Sequence, residues 1–341
     1  MRKAIETLKN IWKIEDLRQR ILITILFVAI YRFGSYVVLP GINPAMLTQL
    51  HQQTSEGLLA LLNMFSGGAF SNASIFALGI MPYISASIVI QLLGIAVPYF
   101  QKLQREGESG RRKMNQYTRY LTIIILLVQA PSYLLNLKMQ AGPSLNASLD
   151  WTLFMVTSTI ILAAGSMFIL WLGERITENG VGNGISIVLL INIISGMPSD
   201  FATLYSTFVA PKTPAKGVLA AVIILAILIV MVVLVCFLQD GERRIPVQYS
   251  QKVSGRRTVG GQSTNIPLKV NTAGVMPIIF ASSLMQFPVI IAQLFGKSYE
   301  WTRYLSSSYW CRVEAPKYSI GLLVYIVLLI IFAYFYTSIT F

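Results

Sequence analysis

Fourteen carboxylates, one imidazole and two thiols are the groups in this 341-residue chain best suited to act as bases, metal ligands or nucleophiles. All fourteen acids fall in loops or at the ends of apolar runs. His51 stands in a polar segment without a Cys or His companion, so no metal site is assigned. Cys236 and Cys311 are too few for a disulfide framework and read as unpaired thiols near opposite membrane faces. Serines are frequent in the apolar runs, but none has a His or Asp partner within its run to activate it. A GxxxxGK[ST] phosphate loop is absent. What remains open to such residues is physical work: sealing, binding, and partition between water and hydrocarbon. No catalytic residue and no cofactor is assigned, and the chain reads as a non-enzyme.

The residues best spaced for sealing are isoleucines. Ile80, Ile84 and Ile88 recur every four positions, which stacks them on one helical face, and Ile185 with Leu189 repeats the interval. Ile279 follows shortly after Pro277. Converging apolar tips form a gasket that stops ions by dewetting, yet widens around an extended chain without leaving a polar group unpaired. Ordinary helix packing produces the same spacing, and periodicity alone does not separate the two.

The elements that carry these residues are irregular. The stretch from Met64 to Leu93 reads as a membrane helix carrying Ser66-Gly67-Gly68 at its entry, Gly79 and Pro82 in its middle, and Ser85, Ser87 and Gln91 along its length. Non-helical backbone at membrane depth persists only where protein buries it or where it lines a water-filled cavity, so the interruptions point to a translocation path. Upstream, LLALLNMF is apolar but too short to cross a bilayer, and Gly67-Gly68 permits a sharp reversal. A short re-entrant helix that stoppers a pore and one lying flat at the interface both fit.

Composition places these pieces in a multi-span α-helical membrane protein: 55% hydrophobic, 12% charged, mean hydropathy +0.63. Eight spans are expected, at roughly 21–39, 74–97, 120–137, 153–172, 185–195, 218–238, 272–294 and 319–339, the fifth with ends obscured by flanking glycines. With the N-terminus inside, inner segments hold nineteen Lys and Arg against seven outside, which sets that orientation. The charged amphipathic start, residues 1–20, suits a cytoplasmic surface helix and lacks the pattern of a cleaved leader. Arg32 is the one charge inside a span. Ion-coupled carriers place titratable relays within the bundle, so this scarcity favours a passive pore over a secondary transporter. Two inner loops are basic, KLQREGESGRRK within 101–119 and the longer 239–269, whose glycines suit a projecting hairpin that docks phosphates or acidic surfaces. The last span runs directly into the final residue, which reads as a truncation.

Four long strings in order, FSGGAFSNASIFALGIMPYISASIVIQLL, EGESGRRKMNQYTRY, WLGERITENGVGNGISI and ERRIPVQYSQK with GRRTVGGQSTNIPLKVNTAGVMPIIFASS, resemble the SecY family of protein-conducting channels. The resemblance implies an all-α polytopic bundle, an inverted repeat of five plus five helices with eight spans present. It implies an N-terminal half over 21–196 and a partial C-terminal half over 197–341 with a cytoplasmic loop at 239–270. Its pore ring maps to Ile80, Ile84, Ile185, Leu189 and Ile279, with a further member beyond the end of this chain. Its plug maps to about 58–70, with Leu58, Leu61, Leu62, Met64, Phe65, Gly67 and Gly68. Its lateral gate maps to Ser85, Ile88, Gln91, Gln129, Asn271 and Phe287. Docking of a ribosome, through rRNA phosphates, or of the SecA ATPase maps to Arg243, Arg244, Lys252, Arg256, Arg257, Arg111 and Arg112. The implied partners also include SecE, SecG, signal peptides, SecDF, YidC and membrane lipids. The implied location is the bacterial cytoplasmic (inner) membrane.

Overall fold

The computed structural model describes residues 12–43, 47, 63–141, 150–210, 214–247, 252–254, 257–259, 264–271, 274, 276–294, 300–305 and 316–340. Long helices stand at each of the eight expected positions. They are α1 (Glu15–Tyr36), α2 (Met81–Ala96), α4 (Glu108–Ala141), α5 (Trp151–Asn179), α6 (Gly184–Leu204), α7 (Pro214–Gln239), α8 (Met276–Leu294) and α10 (Ile320–Thr340), with short α3 (Pro98–Arg105) and α9 (Glu300–Leu305) between them. Among the described residues five of these are long and apolar enough to cross a membrane, and six if the bent pair α2–α3 is one span. Local chemistry sets several starts. Glu15 and Asp16 put negative charge in the first turn of α1, where the helix dipole favours it. The Asp150 side chain caps α5 by accepting from the Thr152 N–H at 3.3 Å. Proline in the first turn of α2 and of α3 gives up a donor that has no helical partner there.

Three sequence expectations need correction. The second span is not helical from Met64 or Ser74: residues 66–80 are turns, and regular helix begins only at Met81. Gly67, Gly68 and Gly79 adopt φ of +64°, +85° and +55°, a region that interrupts a right-handed helix and that glycine enters without penalty. The basic segment 101–119 is mostly helix rather than loop: it holds the end of α3, with Leu103 buried, and the start of α4, where Glu108 and Arg112 pair at 3.0 Å one turn apart. The fifth span is longer than 185–195, running from Gly184 through Gly196 and Pro198 to Leu204, then through a π-helical turn at Tyr205–Val209.

The chain divides into two compact units. In the first, 1–198 with 282–326, α2 packs along α4, α4 along α5, and α1 against α5. Its core joins Leu39, Phe70, Ala77, Leu134, Phe154 and Leu162. Gly165 lets α5 approach the 66–80 turns, since a side chain there would strike the Ile75 carbonyl. The second unit, 199–281 with 327–341, holds α7 and an antiparallel ribbon. Strands β1 (Glu242–Val247) and β4 (Thr264–Lys269) pair with Ile245 opposite Ile266, and between them in sequence β2 (Lys252–Ser254) and β3 (Arg257–Val259) form a second antiparallel pair. The hairpin expected in 239–269 is therefore present. Phe280 packs edge-on against Phe332 and Tyr336, ring centroids 5.9 and 5.8 Å away.

Candidate functional site

The site is built around the irregular entry to α2. Asn63 begins it: its side-chain carbonyl accepts from the Ser71 N–H at 3.1 Å, and its main-chain carbonyl accepts from the Gly68 N–H and the Ser66 hydroxyl. Ser66 Oγ in turn accepts from the Phe70 N–H, and the Ser71 hydroxyl donates to the Gly68 carbonyl. Short side chains thus satisfy main-chain groups that a continuous helix would have paired internally. The chain after α1 adds a backbone clasp. The Leu39 N–H donates to the Ala73 carbonyl and the Ile75 N–H to the Val37 carbonyl, both at 2.9 Å. Ala73 sits at φ 47°, costly for a non-glycine residue, and is held there in full burial by these contacts.

Three side chains from other helices fasten the same turns. The Tyr133 hydroxyl of α4 donates to the Phe70 carbonyl at 2.9 Å while its ring lies against Phe70. The Asn192 amide of α6 donates to the Phe65 carbonyl at 2.7 Å. The Arg32 guanidinium of α1 donates to the Gly67 carbonyl at 3.1 Å. Phe76 is stacked between Tyr31 and Phe168, at 5.8 and 6.1 Å, so α1 and α5 grip the last part of the turn. Sequence reading singled out Arg32 only as a lone span charge and passed over Asn192, Tyr133 and Phe76. The signal for Asn192 was present, as an isolated amide inside IVLLINII.

Of the proposed ring residues, Ile80 and Ile84 are buried and on one face, the Ile84 N–H donating to the Ile80 carbonyl at 3.1 Å, and Ile88 extends that face. Ile185 and Leu189 are half-buried on α6, and Ile185 lies close to Gly173, whose absent side chain leaves it room. Ile279 belongs to α8, but its side chain lies outside the described residues, as does that of Phe287. Of the plug residues, Leu58, Leu61 and Leu62 lie outside the described residues. Met64 is exposed, Phe65 is half-buried, and Gly67 and Gly68 form the turn.

The polar gate candidates are spread over three elements. Ser85 is half-buried on α2, Gln91 donates to the Ser87 hydroxyl one turn earlier at 3.4 Å, and Gln129 is half-buried on α4. Asn271 is exposed and accepts from the Gly274 N–H, closing the turn that precedes α8. Among the docking candidates, Arg243 and Arg244 are exposed on β1, and Arg111 and Arg112 are exposed on α4, with Arg112 paired to Glu108. Lys252 and Arg257 are on β2 and β3 with side chains outside the described residues, and Arg256 lies outside them altogether. No group of three or more metal-binding side chains occurs among the described residues.

Known proteins resemble this arrangement over most of its length. The family model described as SecY matches residues 74–341. The protein translocase subunit SecY of Haemophilus influenzae is 43% identical over 326 residues, which is 95% of this chain and 71% of that protein. Among solved structures, a protein-conducting channel aligns with a TM-score of 0.61 at 18% identity, covering 94% of this chain and 71% of its own. The channel of a canine ribosome–channel complex from the endoplasmic reticulum aligns with a TM-score of 0.58, also at 18% identity and the same coverage. At that identity the two structures speak for the fold.

Proposed function

The chain belongs to the SecY family, and from that membership we propose that it is the channel-forming subunit of a protein translocase. It is a passive conduit that carries unfolded secretory polypeptides across the membrane and releases apolar segments sideways into the bilayer. The observation that carries the reading is the coupling, in one element, of a hydrogen-bonded non-helical turn to an isoleucine face. The turns at 66–80, fastened from Asn63, satisfy much of their own main chain, and the isoleucine face begins at their last residue, Ile80, and continues at Ile84. That is what a closed, dry constriction beside a movable stopper requires.

In this reading Ile80, Ile84, Ile185, Leu189 and Ile279 seal, and the segment up to Gly68 is the plug. Ser85, Ile88, Gln91, Gln129, Asn271 and Phe287 line the lateral gate. Polar contacts in that gate hold it closed by only about 1 kcal/mol each, so an apolar signal peptide displaces them. The exposed ribbon β1–β4 carries Arg243 and Arg244, and its basic character supports docking of a ribosome, with which one structural neighbour is complexed, or of the SecA motor. SecE and SecG complete the bundle, and SecDF and YidC cooperate with it. Relatives are named for translocation rather than catalysis, and we assign the energy supply to those partners. The setting is a bacterial cytoplasmic membrane with the N-terminus inside.

Reconstitution tests this. With its partner subunits and motor in lipid vesicles, the chain makes a secretory precursor protease-resistant, while Ile84→Asp with Ile185→Asp raises resting ion conductance. Precursor that stays fully digestible, together with unchanged conductance, would contradict the reading.

A further inference from the structure

We propose that Arg32 and Asn192 act together as a latch on the turn at 63–68, positioning residues that keep the stopper seated until water enters the channel. The inference rests on the channel reading above and goes beyond it by naming what holds the resting state. Three observations carry it. First, the two side chains come from α1 and α6 and grip neighbouring carbonyls: Asn192 takes Phe65 at 2.7 Å and Arg32 takes Gly67 at 3.1 Å. Second, each side chain makes its best hydrogen bond to this turn. Among the described residues no carboxylate lies within ion-pair distance of Arg32, whose remaining contacts are the Tyr36 hydroxyl at 3.5 Å and the Tyr36 ring at 5.6 Å. Asn192 is buried, and the one well-formed hydrogen bond of its side chain is the one to Phe65; its carbonyl oxygen lies beside the buried Tyr31 hydroxyl of α1 in looser geometry. Third, the fit is tight. A Cβ added at Gly67 would stand 2.6 Å from Asn192 Oδ1 and 2.8 Å from Arg32 Nη1, at a backbone φ of +64°.

A guanidinium that meets a main-chain carbonyl rather than a carboxylate inside an apolar bundle is stable only while that carbonyl stays or water replaces it. Withdrawing the turn into a dry bundle would strand Arg32 and leave the Asn192 amide donor without its acceptor. Withdrawing it into a hydrated pore would not. The latch therefore couples movement of the stopper to entry of water, and so to arrival of a translocating chain.

The test uses the assembled translocase with Cys236 and Cys311 replaced by serine and a reporter cysteine at Phe65. Resting conductance in planar bilayers and labelling of that cysteine by a membrane-impermeant thiol reagent are measured without substrate. Arg32→Met and Asn192→Ala are each expected to raise both signals about tenfold, the consequence of losing one charge-assisted or buried hydrogen bond. Arg32→Lys, which keeps the charge but not the planar fork, is expected to fall between. Gly67→Ala wedges the same spot from the turn side and gives the same phenotype if a helix variant fails to assemble. The double variant Arg32→Met with Asn192→Ala should exceed either single variant by less than the product of their effects, since both act on one turn. Unchanged conductance and labelling in Arg32→Met, Asn192→Ala and Gly67→Ala would overturn the latch. Labelling needs no substrate, so failure of the unsubstituted complex to translocate would count against the channel reading alone.

Discussion

Helices α2 and α7 are both strongly apolar, yet they are built on opposite plans. Helix α7 has an 18-residue window of mean hydropathy 3.7, no proline or glycine between Val218 and Leu238, and exposure at nearly every position. Helix α2 has proline as its second residue, carries Ser85, Ser87, Gln91 and Gly94, follows fifteen residues of turn, and is buried at Pro82, Ile84, Ala86, Ile88 and Ile90, as is Ile80 just before it. Uniform apolarity goes with exposure along α7, and it suits a surface in hydrocarbon, where there is nothing for a polar group to pair with. Polar and conformational interruptions occur where neighbouring elements supply partners. Interruption, more than hydropathy, therefore marks the part of this bundle that we propose does the work.

The contrast can be broken most forcefully at Phe76, stacked between Tyr31 and Phe168. Phe76→Ala is expected to cost about 3–5 kcal/mol, the range for a large aromatic truncated in a close-packed core, measured as a lowered unfolding midpoint of the purified complex in detergent. A loss no greater than that of an exposed residue would mean that the turn is loosely held.

Intermediate in size is charge reversal on the ribbon, Arg243→Glu with Arg244→Glu. It should weaken ribosome association at low salt and flatten the salt dependence by about one unit of log–log slope per phosphate contact removed. Equal affinity at every salt concentration would detach the ribbon from docking. Smallest is Val230→Ala or Val233→Ala on α7, expected within about 0.5 kcal/mol of the parent. A large effect there would show that the exposed face of α7 is packed against a partner rather than lipid.

The sequence made some of this legible and hid the rest for definite reasons. The Ile80, Ile84, Ile88 interval survives in the structure because a helical period is written directly in residue spacing. The start of α2 was misplaced because hydropathy does not register backbone φ, and Gly67, Gly68 and Gly79 were visible only as possible breaks. Segment 101–119 reads as loop because its many charges mask two helical stretches that pack on each other, with Leu103 buried and Gly110 leaving room for the Leu103 carbonyl. Arg32 and Asn192 stand out in the sequence as an isolated charge and an isolated amide, but their acceptors do not, because the main-chain carbonyls of Gly67 and Phe65 leave no signature in side-chain identity. Gly165 was equally silent, its role being to leave space beside the Ile75 carbonyl.

The central claim is that an extended polypeptide passes the isoleucine face of α2 while α7 stays outside the path. Photo-crosslinking of a secretory chain stalled in the assembled translocase, with probes placed one at a time at Ile84 and at Val230, tests it directly. The account predicts adducts from Ile84 to the middle of the stalled chain and none from Val230. Equal adducts from both positions, or none from Ile84 while the precursor is engaged, would contradict it.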